Sequence, residues 1–178
     1  LADNGASDTD SVITLPNSDL IKALTATNQV FTPNPAVAIG EILTYDVTFT
    51  VPAGGTMPEL TLTDILDRGL AFVNCVSITS SSAEITTTLT GGLTAACNDP
   101  VNPTIATEPA GSTNPADAGR LVRFDLGDVS NSGSTDGTVT IRYRTVVLDS
   151  FENRDGVSLN NAVTLRWSSG ELSSSAAD

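Results

Sequence analysis

The stretch LTYDVTFTV, residues 43–51, has a regular alternation that indicates the fold class. Its odd-numbered residues are apolar or aromatic, and its even-numbered residues are Thr or Asp. Successive side chains of a strand point to opposite faces, so this pattern predicts a strand with one buried face and one exposed face. Pro52, Gly54 and Gly55 follow at once and are turn residues, which predicts that the strand ends there.

Similar short patterns recur along the chain, and no long stretch has the 3.6-residue period of a helix. Further strands are predicted at residues 60–66, 70–78, 85–89, 122–126, 139–147 and 159–167. Many short Thr- and Val-rich strands separated by Gly, Pro and Asn are typical of antiparallel sandwiches. We therefore predict an all-β, immunoglobulin-like β-sandwich over residues 19–168, with an irregular excursion at 91–119 and a polar C-terminal tail at 169–178.

The composition excludes several classes of function. The chain has 178 residues, a net charge of −13 and no His. Such an acidic chain repels nucleic acids and anionic membrane surfaces, and no stretch approaches the ~20 apolar residues that a membrane span needs. Because His is both the usual general base and the commonest metal ligand, we predict neither enzymatic turnover nor a metal site, and we expect no cofactor.

Cys75 and Cys97 are the two cysteines of the chain. An even pair in an acidic, Ser- and Thr-rich chain of secreted appearance predicts a disulfide bond, and with it an extracellular location. The alternative is a pair of buried thiols. A disulfide would tie the excursion at 91–119 to the strand at 70–78.

Three polar residues occupy apolar faces of predicted strands. Lys22, the single lysine, shares its face with Leu20 and Leu24, while Asp64 lies on the face of Leu60 and Leu62. Asn161 lies on a face with four apolar residues, namely Leu159, Val163, Leu165 and Trp167. Buried charged groups are costly unless they are paired, so we expect these side chains to interact.

Two interpretations of this trio stay open from the residues alone. The first is a buried Lys22–Asp64 ion pair with the Asn161 amide hydrogen-bonded nearby. The second is a reaction that occurs once and needs no cofactor. In it, burial favours a neutral amine on Lys22 and a protonated Asp64, the acid polarises the Asn161 amide, and the amine attacks it with loss of ammonia.

The order of these segments resembles a known family. The elements are VAIGEILTYDVTFTVPAG, LTLTDILDRGLAFV, RFDLGDV, TVTIRYRTVVL and LNNAVTLRW, which follow the Lys-bearing strand. Together they are similar to the isopeptide-forming domains of bacterial fimbrial and repetitive cell-surface adhesin proteins. The resemblance implies an isopeptide bond between Lys22 and Asn161 with Asp64 as the catalytic acid. Asn160 is the alternative acceptor, because the Asn-Asn pair leaves the register open by one residue.

The N-terminal residues 1–18 suggest contacts with other copies. In the tandem surface proteins that the chain resembles, a similar short strand follows the Trp-bearing strand of the preceding repeat. We therefore expect residues 1–18 to act as an N-terminal extension whose strand is donated to a neighbouring copy, in a head-to-tail polymer or in tandem repeats. The alternative is an arm that is disordered or packs locally. The donated strand would consist of Asp10, Ser11, Val12, Ile13, Thr14 and Leu15.

The function that these observations favour is a structural subunit or repeat of an extracellular surface filament or adhesin. The alternative is a secreted β-sandwich module that binds a carbohydrate or protein ligand through its loops, or whose binding depends on calcium. Few aromatic residues are available for a carbohydrate platform. Asp8, Asp10 and residues 125–136 offer oxygen ligands for calcium, but no D-x-D-x-D-G loop is present.

Overall fold

Ten strands form two antiparallel sheets in the computed structural model, which describes residues 19–32, 36–97, 101–151 and 153–177. The N-terminal segment with the predicted donor strand lies outside these residues. In chain order the strands are β1 (Leu20–Thr27), β2 (Ile42–Val51), β3 (Thr56–Ile65), β4 (Leu70–Ser80), β5 (Ile85–Thr87), β6 (Thr104–Ala106), β7 (Leu121–Asn131), β8 (Gly137–Val147), β9 (Asn160–Trp167) and β10 (Gly170–Ala177).

The two sheets pack face to face as a β-sandwich, so the predicted fold class is confirmed. One sheet has the strand order β1-β2-β8-β4, and the other has the order β10-β9-β3-β7-β5, with β6 also paired to β7. The alternation read from LTYDVTFTV holds throughout β2, where all five inward side chains are fully buried. Apolar residues of β3, β7, β8 and β9 complete a single core between the sheets.

The excursion at 91–119 is held to the sandwich by short elements. A single helical turn, α1 (Gly92–Ala95), contributes the buried Leu93, and β6 adds to the edge of β7. A 3-10 turn (Pro115–Asp117) then leads into β7.

The segment 170–177, which was expected to be a polar tail, forms β10 along the full length of β9. Its Ser-rich sequence lacks the apolar alternation of the other strands. Main-chain hydrogen bonds to β9 supply the pairing that side-chain composition does not predict. The last strand of the described fold is therefore β10, and Asn161 lies on the strand before it.

The chain enters and leaves the sandwich at opposite ends. Leu20 pairs with Phe49, near the last residue of β2, whereas Ala177 pairs with Asn160, at the first residue of β9. The start of β9 pairs with the end of β3, and a short turn joins the end of β3 to the start of β4. The start of β4 pairs with the end of β8, which in turn pairs with the start of β2. The chain therefore leaves at the end of the sandwich where β2 starts and enters at the end where β2 finishes. β1 and β10 are neighbouring edge strands and run in the same direction.

Candidate crosslinking site

Lys22 reaches from an edge strand into the middle of the core. It lies on β1 opposite Val47 of β2, and its side chain has no exposed surface. Its ammonium nitrogen lies 2.8 Å from each carboxylate oxygen of Asp64. The contact joins the two sheets, because β1 and β3 belong to different sheets.

Asp64 lies on an interior strand of the six-stranded sheet. β3 is flanked by β7 and β9, so Asp64 pairs with Val122 on one side and with Val163 on the other. The hydroxyl of Tyr143, from the opposite sheet, donates a hydrogen bond to Oδ2 of Asp64. Burial raises the pKa of Asp64 above its ordinary value, although the Lys22 charge and the hydrogen bonds from Lys22 and Tyr143 oppose that shift.

Aromatic rings surround the buried ion pair. The Lys22 ammonium nitrogen lies 4.9 Å from the ring centre of Tyr45 and 5.8 Å from that of Tyr143. The two tyrosine rings stack with centres 5.8 Å apart, and Phe72 and Phe124 pack against Tyr143. This shell keeps water from the pair and stabilises the cation through the ring faces.

Asn161 is fully buried, and neither its side-chain oxygen nor its side-chain nitrogen has a hydrogen-bond partner. It lies on β9 two residues before Val163, the residue that pairs with Asp64, and is therefore diagonal to Asp64 on the same inward face. Such diagonal neighbours are typically about 7–8 Å apart, within reach of longer side chains. A buried amide with no partner usually costs about 1–3 kcal/mol, so its placement requires an explanation.

Asn160, the alternative acceptor, is exposed at the first position of β9. Its backbone N–H donates to Oδ2 of Asp67 at 2.8 Å. Since neighbouring residues of a strand face opposite sides, the register of β9 directs the Asn161 side chain, and not that of Asn160, into the core.

This arrangement provides the three groups that amide exchange needs. A buried pair can neutralise itself by moving one proton from the amine to the carboxylate, because low dielectric penalises both charges. The neutral amine is then a nucleophile, and the acid can donate a hydrogen bond to an amide oxygen. The Asn161 amide has unused hydrogen-bonding capacity on both atoms.

Tyr143 was not predicted as a member of this site. The sequence places Tyr143 on the inward face of its strand with Ile141 and Val147, and this pattern predicts only an ordinary core residue. A signal was available, because a buried tyrosine hydroxyl normally finds a hydrogen-bond partner. Only the packing of β8 against β3 shows that this partner is Asp64.

Cys75 and Cys97 form a disulfide bond, with Cα atoms 5.4 Å apart. The bond connects Cys75 on β4 to Cys97, two residues after the end of α1. It therefore ties the excursion to the edge of the four-stranded sheet. Cys97 is buried with the adjoining part of the core.

Two further buried carboxylates stabilise connections between strands. Asp117 accepts hydrogen bonds from Ser112 and Arg68 and pairs with Arg120. The Ser112 hydrogen bond, together with both arginines, holds the pKa of Asp117 below its ordinary value. Glu41 is also fully buried, between β1 and β2. Burial opposes ionisation of its carboxyl group, but hydrogen bonds from Thr27, Ala38 and Thr32 outweigh this effect, and the pKa of Glu41 is lowered.

Neither a metal-binding cluster nor a membrane-spanning helix occurs in the part of the chain that the structure describes. Over the described residues, no group of three or more Cys, Asp or Glu side chains is arranged to hold a metal ion. In the same part of the chain, no helix has the length and apolar character needed to cross a membrane.

Sequence comparisons and structure comparisons give different results. No protein-family model matches the chain. No curated protein has significant sequence similarity to it. Solved structures, in contrast, match with probability 1.00.

Several of the matching structures are backbone or major subunits of bacterial pili. The pilus backbone protein RrgB from Streptococcus pneumoniae has a TM-score of 0.53 and 17% identity, over 84% of this chain and 31% of that one. A structure of the full-length major pilin RrgB from the same organism also has a TM-score of 0.53, with 16% identity over 86% of this chain and 24% of that one. The full-length major pilin SpaD from Corynebacterium diphtheriae has a TM-score of 0.50 and 12% identity, over 89% of this chain and 34% of that one.

The chain thus spans about a third or less of each of these pilins. The likeness extends over most of the described sandwich and confirms, for the fold, the resemblance seen in the sequence. The chain has the immunoglobulin-like fold of domains found in bacterial major pilins.

Proposed function

We propose that the chain is a structural module of an extracellular surface filament or adhesin, stabilised by an isopeptide bond between Lys22 and Asn161. One observation carries the proposal. A lysine and an aspartate are paired without solvent contact, and a fully buried asparagine on the same inward face as the aspartate has no hydrogen-bond partner. An ordinary structural ion pair does not explain an unsatisfied amide in the same core.

The reaction balances without a cofactor. Lys22 transfers one proton to Asp64, and its neutral nitrogen attacks Cγ of Asn161. The Cγ–Nδ2 bond then breaks: Nδ2 takes one proton from the attacking Lys22 nitrogen and leaves as ammonia, and the ammonia takes up the proton held by Asp64 to become ammonium. Asp64 returns to its starting state, so the chain reacts once and is not an enzyme that turns over.

Intact-mass measurement of the purified chain, with and without reductant, tests the crosslink. We expect a mass that is lower than the sequence mass by one ammonia, after allowance for the two hydrogens of the disulfide. Peptide mapping should place the branched peptide between Lys22 and Asn161. A mass equal to that of the disulfide-bonded sequence would overturn the proposed bond and leave Lys22 and Asp64 as a buried ion pair.

We further propose that copies, or tandem repeats, associate head to tail. The entry of the chain at one end of the sandwich and its exit at the other support this arrangement. The fold shared with pilus backbone proteins supports a filament as the setting. The predicted donor strand, residues 10–15, comes before β1 and would extend from the end at which the chain enters.

Sedimentation of the full chain over a range of concentrations tests strand donation. We expect end-to-end oligomers, and we expect a variant with Val12→Asp and Ile13→Asp to be monomeric, because a buried charge on the donated strand is costly. Substitution of the polar Ser11 by Asp serves as the control and should preserve association. A wild-type chain that stays monomeric at high concentration would remove strand donation from the proposal.

A further inference from the structure

Tyr143 contacts the acid of the proposed reaction from the opposite sheet. Its hydroxyl donates to Oδ2 of Asp64, while the Lys22 ammonium contacts both Oδ1 and Oδ2. The Tyr143 ring is fully buried and is held by Tyr45, Phe72 and Phe124. Because the ring cannot move freely, its hydroxyl oxygen is held in place. The hydrogen bond from this hydroxyl therefore restricts rotation of the Asp64 carboxyl group.

We propose that Tyr143 is a positioning residue for isopeptide formation: its hydroxyl occupies Oδ2 of Asp64, so that the proton received from Lys22 resides on Oδ1. The inference rests on the proposed function. When the Lys22 nitrogen attacks Asn161, the acid hydrogen on Oδ1 is available to the Asn161 carbonyl oxygen, which has no other partner. Tyr143 itself neither gains nor loses a proton, and the atom balance is that of the reaction above.

The hydroxyl also affects the pH range of the reaction. Bond formation needs one proton shared between Lys22 and Asp64, and it stops when acid protonates both groups. Lys22 from β1 and Tyr143 from β8 are the groups in hydrogen-bond contact with Asp64, and Tyr45 from β2 faces Lys22. The Tyr143 hydrogen bond lowers the pKa of Asp64, so its removal raises that pKa and moves the acid limit of the reaction to higher pH.

Refolding kinetics test this role. Chains recovered unfolded in denaturant, and shown by mass to be uncrosslinked, are diluted into oxidising buffers of different pH. Folding is followed by the fluorescence of Trp167, the single tryptophan, and bond formation by the mass of quenched samples. We expect Tyr143→Phe to fold but to crosslink about ten- to a hundredfold more slowly, the effect of losing one hydrogen bond to a charged group. Its acid limit should lie at higher pH than that of the wild type.

Thr145→Val is the matched control, since it removes from β8 a buried hydroxyl that has no hydrogen-bond partner. We expect its rate and acid limit to stay near those of the wild type. A Tyr143→Phe chain that crosslinks at the wild-type rate or faster, with an unshifted acid limit, would overturn the role of Tyr143 while leaving the crosslink intact. A wild-type chain that loses no ammonia would overturn both.

A second measurement covers the case in which Tyr143→Phe does not fold. The chain has two tyrosines, so the Tyr45→Phe variant contains Tyr143 alone, and growth on fluorotyrosine labels that one site. A fluorinated phenol is more acidic and donates a stronger hydrogen bond. We expect the labelled chain to crosslink down to a lower pH than the unlabelled variant, and identical acid limits would contradict the proposed contact.

Discussion

Lys22 and Asp64 belong to opposite sheets, yet the ammonium nitrogen of one lies 2.8 Å from both carboxylate oxygens of the other. Neither side chain has any exposed surface. Desolvation of two charges commonly exceeds the attraction between them, so a pair of this kind is weak evidence for stability. Its position beside a strand that carries an unpartnered buried amide is the basis of the chemical role that we propose for it.

The first prediction separates the two adjacent asparagines. Asn161→Ala should abolish the loss of ammonia, whereas Asn160→Ala should retain it, because Asn160 is exposed and Asn161 is buried. The proposed crosslink would close the loop from residue 22 to residue 161, and the chain-entropy relation gives such a crosslink about 5 kcal/mol of stabilisation. Intact mass and denaturant unfolding of both variants check the assignment. Ammonia loss in Asn161→Ala would assign the bond to another acceptor.

The second prediction concerns the ion pair in the uncrosslinked protein. In an Asn161→Ala background, Asp64→Leu should destabilise the fold by about 3–5 kcal/mol, because it leaves the Lys22 ammonium buried without its carboxylate. Adding Lys22→Met should recover most of that loss, since both charges are then absent. Urea unfolding of the four chains in this cycle measures the coupling. If the effect of the double change equals the sum of the two single effects, the two residues do not interact.

The third prediction concerns the disulfide bond between Cys75 and Cys97. A crosslink over this separation stabilises a fold by about 3 kcal/mol in the chain-entropy model. Reductant should therefore lower the denaturant midpoint of the wild type. The double variant Cys75→Ser, Cys97→Ser should start from the lower midpoint and should not respond to reductant. A reductant effect of the same size in that variant would show that the effect does not arise from this bond.

The fourth prediction concerns pH. The pKa of Asp117 is lowered in the folded protein by the Ser112 hydrogen bond and by Arg68 and Arg120. A lowered folded-state pKa contributes stability above the ordinary Asp pKa, and that stability is lost as the pH falls through the folded-state value. Asp117→Asn should therefore reduce the melting temperature at neutral pH, and the gap to the wild type should close in strong acid.

Asp155→Asn is the control for this experiment, because it removes the same charge from an exposed position. We expect it to leave the melting curve nearly unchanged at every pH. A gap between Asp117→Asn and the wild type that persists unchanged into strong acid would contradict the role assigned to the Asp117 charge.

Much of the fold followed from local pattern. The strict alternation at residues 43–51 and 139–147 determines which side chains are buried, because a strand places successive side chains on opposite faces. The same parity identified Lys22, Asp64 and Asn161 as inward-facing polar residues. Strand β10 was missed, because its Ser-rich stretch is stabilised by main-chain pairing to β9 and has no strong pattern of its own.

The sequence alone determined the class of the fold and the inward faces of its main strands, because these depend on local periodicity. It predicted the bond between Cys75 and Cys97 but left two buried thiols as the alternative, and the tertiary structure decided for the bond. Only the tertiary structure decided that Lys22 crosses between sheets to Asp64, that Tyr143 shares the same carboxylate and that Asn161 stays unpartnered. These relationships depend on how the sheets are stacked and on the register of β9 against β3. That geometry is set by the packing of the whole core, to which residues far apart in the chain all contribute.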